Sequence, residues 1–178
     1  EQPVLTFNRT TPGPTLVLQQ GELVEVRLLN ADVAQGVTIH WHGVRVPNAM
    51  DGVPYLTTER IPPRGKHTFE FDLRQSGTYW YHSHSGFQEQ TGLYGPLVIE
   101  PRERESARYD REHVVLLSDW TDRDPHALYL LLKRHSDYFN YQQPTVGRFG
   151  EVRMGLSMLA SRSRRPGRVA TRRAAVAA

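Results

Sequence analysis

The chain has 178 residues, enough for one domain with a sizeable core plus a tail. It contains no cysteine, which excludes a disulfide framework, a zinc knuckle, a thiol nucleophile and any metal centre built on a thiolate, a blue-copper site included. The net charge of +3 joins two unlike parts: residues 1–147 hold 14 Lys/Arg against 18 Asp/Glu, whereas 148–178 hold eight Arg against Glu151 alone.

In chain order, Val4–Phe7 is short and apolar, and Thr11–Pro14 is a turn or edge connection. Thr15–Gln19 reads as a strand that turns at Gln20-Gly21. Leu23–Leu29 alternates cleanly, with Val24, Val26 and Leu28 on one face, as a half-buried strand does. Val37–His42 is a further strand. Pro47–Pro54 is a loop with a tight Asp51-Gly52 turn, and Pro62–Gly65 is a second turn. Lys66–Leu73 alternates again, and Ser76-Gly77 leads into a strand over Thr78–His84. Gly92 and Gly95-Pro96 bracket a loop before the strand Leu97–Glu100, and His113–Leu117 is the last strand. Seven or eight short strands with frequent turns predict an all-β, antiparallel sandwich or barrel.

From Pro125 to Tyr141 the period changes. Leu128, Leu131, Leu132 and His135 recur at helical spacing, with Asp122 or Asp124 to cap the start and Pro125 at the first position. After Gly147 the pattern dissolves. The expected organisation is a β-domain over 1–120, a helical extension over 121–147 and a disordered, solvated basic tail over 148–178. No nucleic-acid partner is expected from that tail, and no apolar run is long enough to span a membrane.

Two stretches remain to be explained: T-I-H-W-H-G over 38–43 and Y-W-Y-H-S-H-S-G over 79–86. Residues i and i+2 of a strand point the same way, so His40 and His42 project together, as do His82 and His84. If the two strands are neighbours, four imidazoles converge. Protonated imidazoles repel one another and desolvated ones lack partners, and a bound metal resolves both difficulties. Imidazole suits zinc, copper, iron or nickel. The other four histidines, His67, His113, His126 and His135, stand alone and read as packing or surface residues. Trp41, Tyr79, Trp80 and Tyr81 read as packing that walls the site from water.

The stretches H-W-H-G-V-R-V-P-N-A-M-D-G-V-P and G-T-Y-W-Y-H-S-H-S-G-F-Q-E-Q-T-G-L-Y-G-P-L-V-I-E-P closely resemble the first cupredoxin-like domain of multicopper oxidases. F-N-R-T-T-P-G-P-T-L upstream fits the same pattern, and V-V-L-L-S-D-W-T-D-R-D-P-H is similar to the periplasmic copper-resistance protein A branch. The resemblance covers roughly residues 5–147. It implies a Greek-key β-sandwich or barrel and copper as the cofactor. It implies His40 as a ligand of a type 2 copper, and His42, His82 and His84 as ligands of a type 3 pair, in a cluster that reduces O2 to water. It also implies that Asp51 lies near the cluster and assists proton delivery; read alone, Asp51-Gly52 is simply a turn.

The same resemblance implies that this chain supplies only half of the cluster's histidines. The rest, with the cysteine-bearing type 1 site, belong to a C-terminal cupredoxin domain or another chain. The chain lacks an initial Met and a basic-then-apolar leader, which reads as a removed signal peptide or a fragment, and the Arg/Ala-rich end reads as a truncated or frameshifted product. Location in the periplasm follows from the resemblance. The alternative function is a non-catalytic module that sequesters copper in exported copper tolerance; a structural sandwich without metal is the third reading.

Overall fold

The computed structural model describes residues 4–103 and 109–140, together with two short strands at 160–161 and 172–177. Among the described residues nine strands and one α-helix follow in chain order, with a 3-10 turn at Asn48–Met50 between the third and fourth strands: β1 Leu16–Gln19, β2 Leu23–Leu29, β3 His40–His42, β4 Lys66–Asp72, β5 Gly77–His82, β6 Tyr94–Glu100, β7 His113–Val114, α1 Pro125–Arg134, β8 Ala160–Ser161 and β9 Arg172–Ala177. One sheet has the order β1-β6-β5-β3, a second has β4-β2-β9, and β7 pairs with β8.

The alternation read in β2 is the alternation found. Val24, Val26 and Leu28 are buried, while Leu23, Arg27 and Leu29 are exposed. The antiparallel register sets Val24 opposite Phe71 and Val26 opposite Phe69, so two strands present one apolar face. That face packs on Leu16, Leu18, Trp41, Tyr81, Leu97 and Ile99 of the other sheet, which closes the core between the layers. Full burial of side chains of this size stabilises the fold by about 1.5–3 kcal/mol each.

β6 lies between β1 and β5 and is buried from Tyr94 to Ile99. Leu97 and Ile99 point into the core. Tyr94, Pro96 and Val98 therefore lie on the opposite, outer face of the sheet, where the Tyr94 hydroxyl meets Ser118 Oγ at 3.0 Å.

Several expectations shift. Not every pairing is antiparallel: β1 runs parallel to β6 and β9 parallel to β2. Alternation reports which face is buried and is blind to strand direction. Val4–Phe7, read only as short and apolar, leads into a tight turn in which Asn8 and Arg9 adopt positive φ (50° and 65°) and Phe7 bridges Thr10. Only His40–His42 of the expected Val37–His42 is in the ladder, and Val37 instead bridges Ile61. β6 begins at Tyr94, so Gly95 and Pro96 sit in a strand and not in a loop. Gly95 lies opposite Tyr81, whose ring occupies the space a Cβ would take.

The helix is capped by Asp124, whose carboxylate accepts from the His126 N–H at 3.0 Å, with Pro125 leading and Lys133 and Arg134 in the last turn. It ends at Arg134, short of Tyr141. Leu128, Leu131 and Leu132 form its half-buried side, while His135 is exposed. Most of the expected disordered tail, 148–178, lies outside the described residues; its described pieces are the two strands β8 and β9.

Candidate metal centre

The second HxH pair lies beside the first because β3 and β5 are hydrogen-bonded neighbours. Their antiparallel register sets His40 opposite His82, Trp41 opposite Tyr81 and His42 opposite Trp80. Residues directly opposed in a ladder share a face. One face of this ribbon thus carries His40, His42, Trp80 and His82, and the other carries Trp41 and Tyr81, both wholly buried in the core. The outer face of a sheet whose inner face is the core is a rigid place to mount ligands.

Ring nitrogens of His40, His42 and His82 all lie within 4.8 Å of one another. His84 lies just past the end of β5 and is exposed; its ring centroid is 5.4 Å from that of His40 and 5.8 Å from that of His82. The structure therefore brings all four predicted histidines to one side of one sheet edge, three of them in the tighter set.

Neighbouring oxygens fix the tautomers. His40 Nδ1 is 2.8 Å from the Asp51 carbonyl oxygen, which only accepts, so Nδ1 carries hydrogen and Nε2 is left as the donor to a cation. His82 Nδ1 is 2.9 Å from the Ser83 carbonyl oxygen and 2.9 Å from Glu89 Oε2, and the same reasoning leaves Nε2 with a lone pair. That Nε2 lies 3.2 Å from His42 Nδ1, which must donate to it in the neutral pair. A proton thus sits between two ring nitrogens where a cation would replace it. The donor set fits an imidazole-ligated metal.

The turn at Asp51 is what delivers its carbonyl to His40. Gly52 has φ +75°, and a Cβ there would collide with the Ile39 carbonyl, so glycine alone lets the loop pass this close. The Asp51 carboxylate is also near, with Oδ1 3.4 Å from His40 Nδ1. Behind His84 the chain is braced by buried polar groups. Ser83 Oγ donates to Gln88 Oε1 at 2.6 Å, and Gln88 Nε2 donates to the Gly36 carbonyl at 2.8 Å.

Trp80 stacks on both His82 (4.2 Å, 17°) and His42 (4.7 Å, 28°) and so walls the site from one side, as a packing residue. The pKa of His42 is lowered, first by desolvation against these rings and then by repulsion from His82, His40 and His84. Glu89 is lowered too: its hydrogen bond from His82 and the positive potential of the histidines outweigh burial. The remaining isolated histidines stay apart from the site. His67 packs on Phe69, and His126 packs on Phe87.

Two contributors went unforeseen in the sequence. Glu89 reaches His82 from seven residues away through an irregular loop, without strand or helix period to announce it. The Asp51 carbonyl is a backbone group, which side-chain identity does not reveal.

Residues 1–104 match the family model described as multicopper oxidase. The chain belongs to the multicopper oxidase family. It is 51% identical over 145 residues to Copper resistance protein A of Pseudomonas syringae pv. tomato, covering 82% of this chain and 24% of that protein. To Copper resistance protein A of Escherichia coli it is 48% identical over 149 residues, covering 84% of this chain and 24% of that protein. The solved Blue Copper Oxidase from Nitrosomonas europaea superposes with a TM-score of 0.62 at 32% identity, over 66% of this chain and 39% of that one. The chain thus spans about a quarter (24%) of the length of these curated relatives.

This multicopper oxidase chain has the cupredoxin-like, all-β fold that its motifs implied, followed by one short helix. Its family cofactor is copper. The three clustered imidazoles, with no thiolate nearby, are a donor set that copper accepts. Among the described residues no helix is long and apolar enough to cross a membrane.

Proposed function

We propose that this chain is the copper-binding first domain of a multicopper oxidase, supplying half the ligands of a type 2/type 3 trinuclear cluster that reduces O2 to water, in the service of copper resistance. His40 ligates the type 2 copper, and His42, His82 and His84 ligate the type 3 pair. The observation that carries this reading is the convergence of His40, His42 and His82 ring nitrogens within 4.8 Å on adjacent strands of a multicopper oxidase domain. The other half of the ligands, and the type 1 site, come from a C-terminal cupredoxin domain or another chain, since the sequence has no cysteine. The working location is the periplasm.

Bound copper supplies one-electron redox chemistry toward O2. The chain's own residues hold and shape that centre. The carbonyls of Asp51 and Ser83 keep the Nδ1 hydrogens of His40 and His82, so their Nε2 atoms stay free to coordinate. Trp80 covers two of the rings and excludes water from that side. The Asp51 carboxylate, 3.4 Å from His40 Nδ1 and half-exposed, is placed to relay protons between solvent and the centre.

The test is a Cu(II) titration of the purified chain, read by stoichiometry and EPR, then O2 consumption with and without a C-terminal domain supplied in trans. The expected result is copper uptake with no thiolate charge-transfer band, negligible turnover alone, and turnover when the second domain is added. Copper uptake without restored turnover leaves the sequestering module as the function. Unchanged copper binding in both His40→Ala and His82→Ala removes the metal reading altogether.

A further inference from the structure

Resting on the reading of His82 as a copper ligand, we propose that Glu89 is a positioning residue for that ligand. It locks the imidazole with Nε2 facing the metal and lends the centre a negative charge that favours Cu(II) over Cu(I).

The geometry is specific. His82 Nδ1 stands 2.9 Å from Glu89 Oε2 while Nε2 stands 3.2 Å from His42 Nδ1, so carboxylate and neighbouring imidazole lie at opposite ends of one ring. The Ser83 carbonyl, also 2.9 Å from Nδ1, already suffices to hold the tautomer. What Glu89 adds is a second anchor, which stops the ring from turning about the first, and a formal charge, which a carbonyl lacks. A carboxylate behind a metal-bound imidazole raises its basicity as a ligand, and losing such a partner costs about 10–100-fold in metal affinity.

The backbone at Glu89 is fixed from both sides. Gln88 is buried and tied to Ser83 and Gly36, Gly92 N–H donates to the Glu89 carbonyl at 3.0 Å, and Gln90 Nε2 donates to the Asp119 carbonyl at 3.2 Å. The only freedom left at this position is the side chain, and that side chain lies on His82. Among the described residues Glu89 pairs with His82 and with no Lys or Arg, so within them the carboxylate's charge is directed at the centre.

The experiment compares the native chain with Glu89→Gln, Glu89→Ala and His82→Ala, measuring apparent Kd for Cu(II) and for Cu(I) by chelator competition, with circular dichroism as the folding check. Glu89→Ala weakens Cu(II) binding by about 10–100-fold. Glu89→Gln keeps an acceptor oxygen but not the charge; it weakens Cu(II) binding less and leaves Cu(I) binding within about twofold. A residue that merely braced the loop would weaken both ions alike, and that result overturns the inference. So does a Glu89→Ala chain that binds Cu(II) within about twofold of native while His82→Ala loses it. If His82→Ala binds copper like the native chain, the ligand reading fails and takes this inference with it. Should Glu89→Ala not fold, the isosteric Glu89→Gln comparison decides alone.

Discussion

His40 and His82 face each other across the β3–β5 ladder, with ring centroids 5.4 Å apart and planes near perpendicular at 84°. Direct opposition means that neither ring can leave without opening the volume the other shares. His42 joins through the i+2 period of β3 and contacts His82 through ring nitrogens. Replacing either His40 or His82 by alanine therefore leaves two donors where three converged. Copper affinity should fall by more than the about 10–100-fold that loss of an outer hydrogen-bond partner costs. The urea midpoint should fall more for His82→Ala, which removes a buried ring bonded to the Ser83 carbonyl and Glu89, than for the half-buried His40→Ala. Isothermal titration with Cu(II), paired with urea melts, checks both halves of the expectation.

Gly52 and Gly86 both have positive φ, +75° and +57°, yet their surroundings differ. A Cβ at Gly52 runs into the Ile39 carbonyl, whereas one at Gly86 meets nothing within 4 Å among the described residues. Gly86→Ala should cost about 1–2 kcal/mol, the left-handed penalty alone. Gly52→Ala should cost more than that, since the backbone next to His40 must also shift, and it should lower copper uptake by moving the Asp51 carbonyl off Nδ1. Equal destabilisation of the two variants in urea would contradict the argument.

Much of this site was legible in the sequence because a two-residue period is a direct statement about faces. T-I-H-W-H-G puts His40 and His42 on one side and Trp41 on the other, and the structure buries Trp41 completely. The adjacency of the two pairs is another matter. It depends on a ladder between residues 40 apart, and the family resemblance supplied it where local pattern does not. What stayed hidden came from irregular backbone: Glu89 on its turn-rich loop, the Asp51 carbonyl, and the Ser83–Gln88 link. The parallel pairing of β1 with β6 was hidden for a different reason, since alternation carries no direction.

Trp41 and Trp80 offer a clean contrast, being neighbours across the ladder's register but on opposite faces. Trp41 is wholly buried against Phe69, Phe71 and Tyr81, whereas Trp80 is half-buried on the two histidines. Trp41→Ala should destabilise by about 3–5 kcal/mol through the cavity it leaves. Trp80→Ala should cost a fraction of that in stability yet change the EPR parameters of bound Cu(II), because the rings of His42 and His82 lose the plane that aligns them. Thermal melts read the first effect and EPR the second; a Trp80→Ala chain with native EPR parameters would remove Trp80 from the site.

pH should act on the fold and on the site in the same direction. His42 and His67 both have pKa values lowered from 6.5, each with desolvation as the leading cause. A histidine whose folded pKa lies below its unfolded value binds more protons unfolded, so stability rises with pH through that interval. Its contribution is complete above 6.5 and is lost as pH falls below. Glu89, lowered from 4.5, adds stability that is present above 4.5 and lost as pH drops further. Urea midpoints should therefore decline between pH 7.5 and 5 and decline again below 4.5. Copper uptake should fall over the first interval as well, since protons compete for the same ring nitrogens. His67 separates the two effects. Its Nε2 is buried without a hydrogen-bond partner among the described residues, and it lies away from the site, packed on Phe69. His67→Leu removes a group whose unsatisfied burial costs about 1–3 kcal/mol, so it should raise the midpoint at pH 5 and flatten the slope while leaving copper uptake and its pH dependence unchanged. A midpoint that is flat or rising on acidification in the native chain would show that these histidines are not desolvated in the folded state.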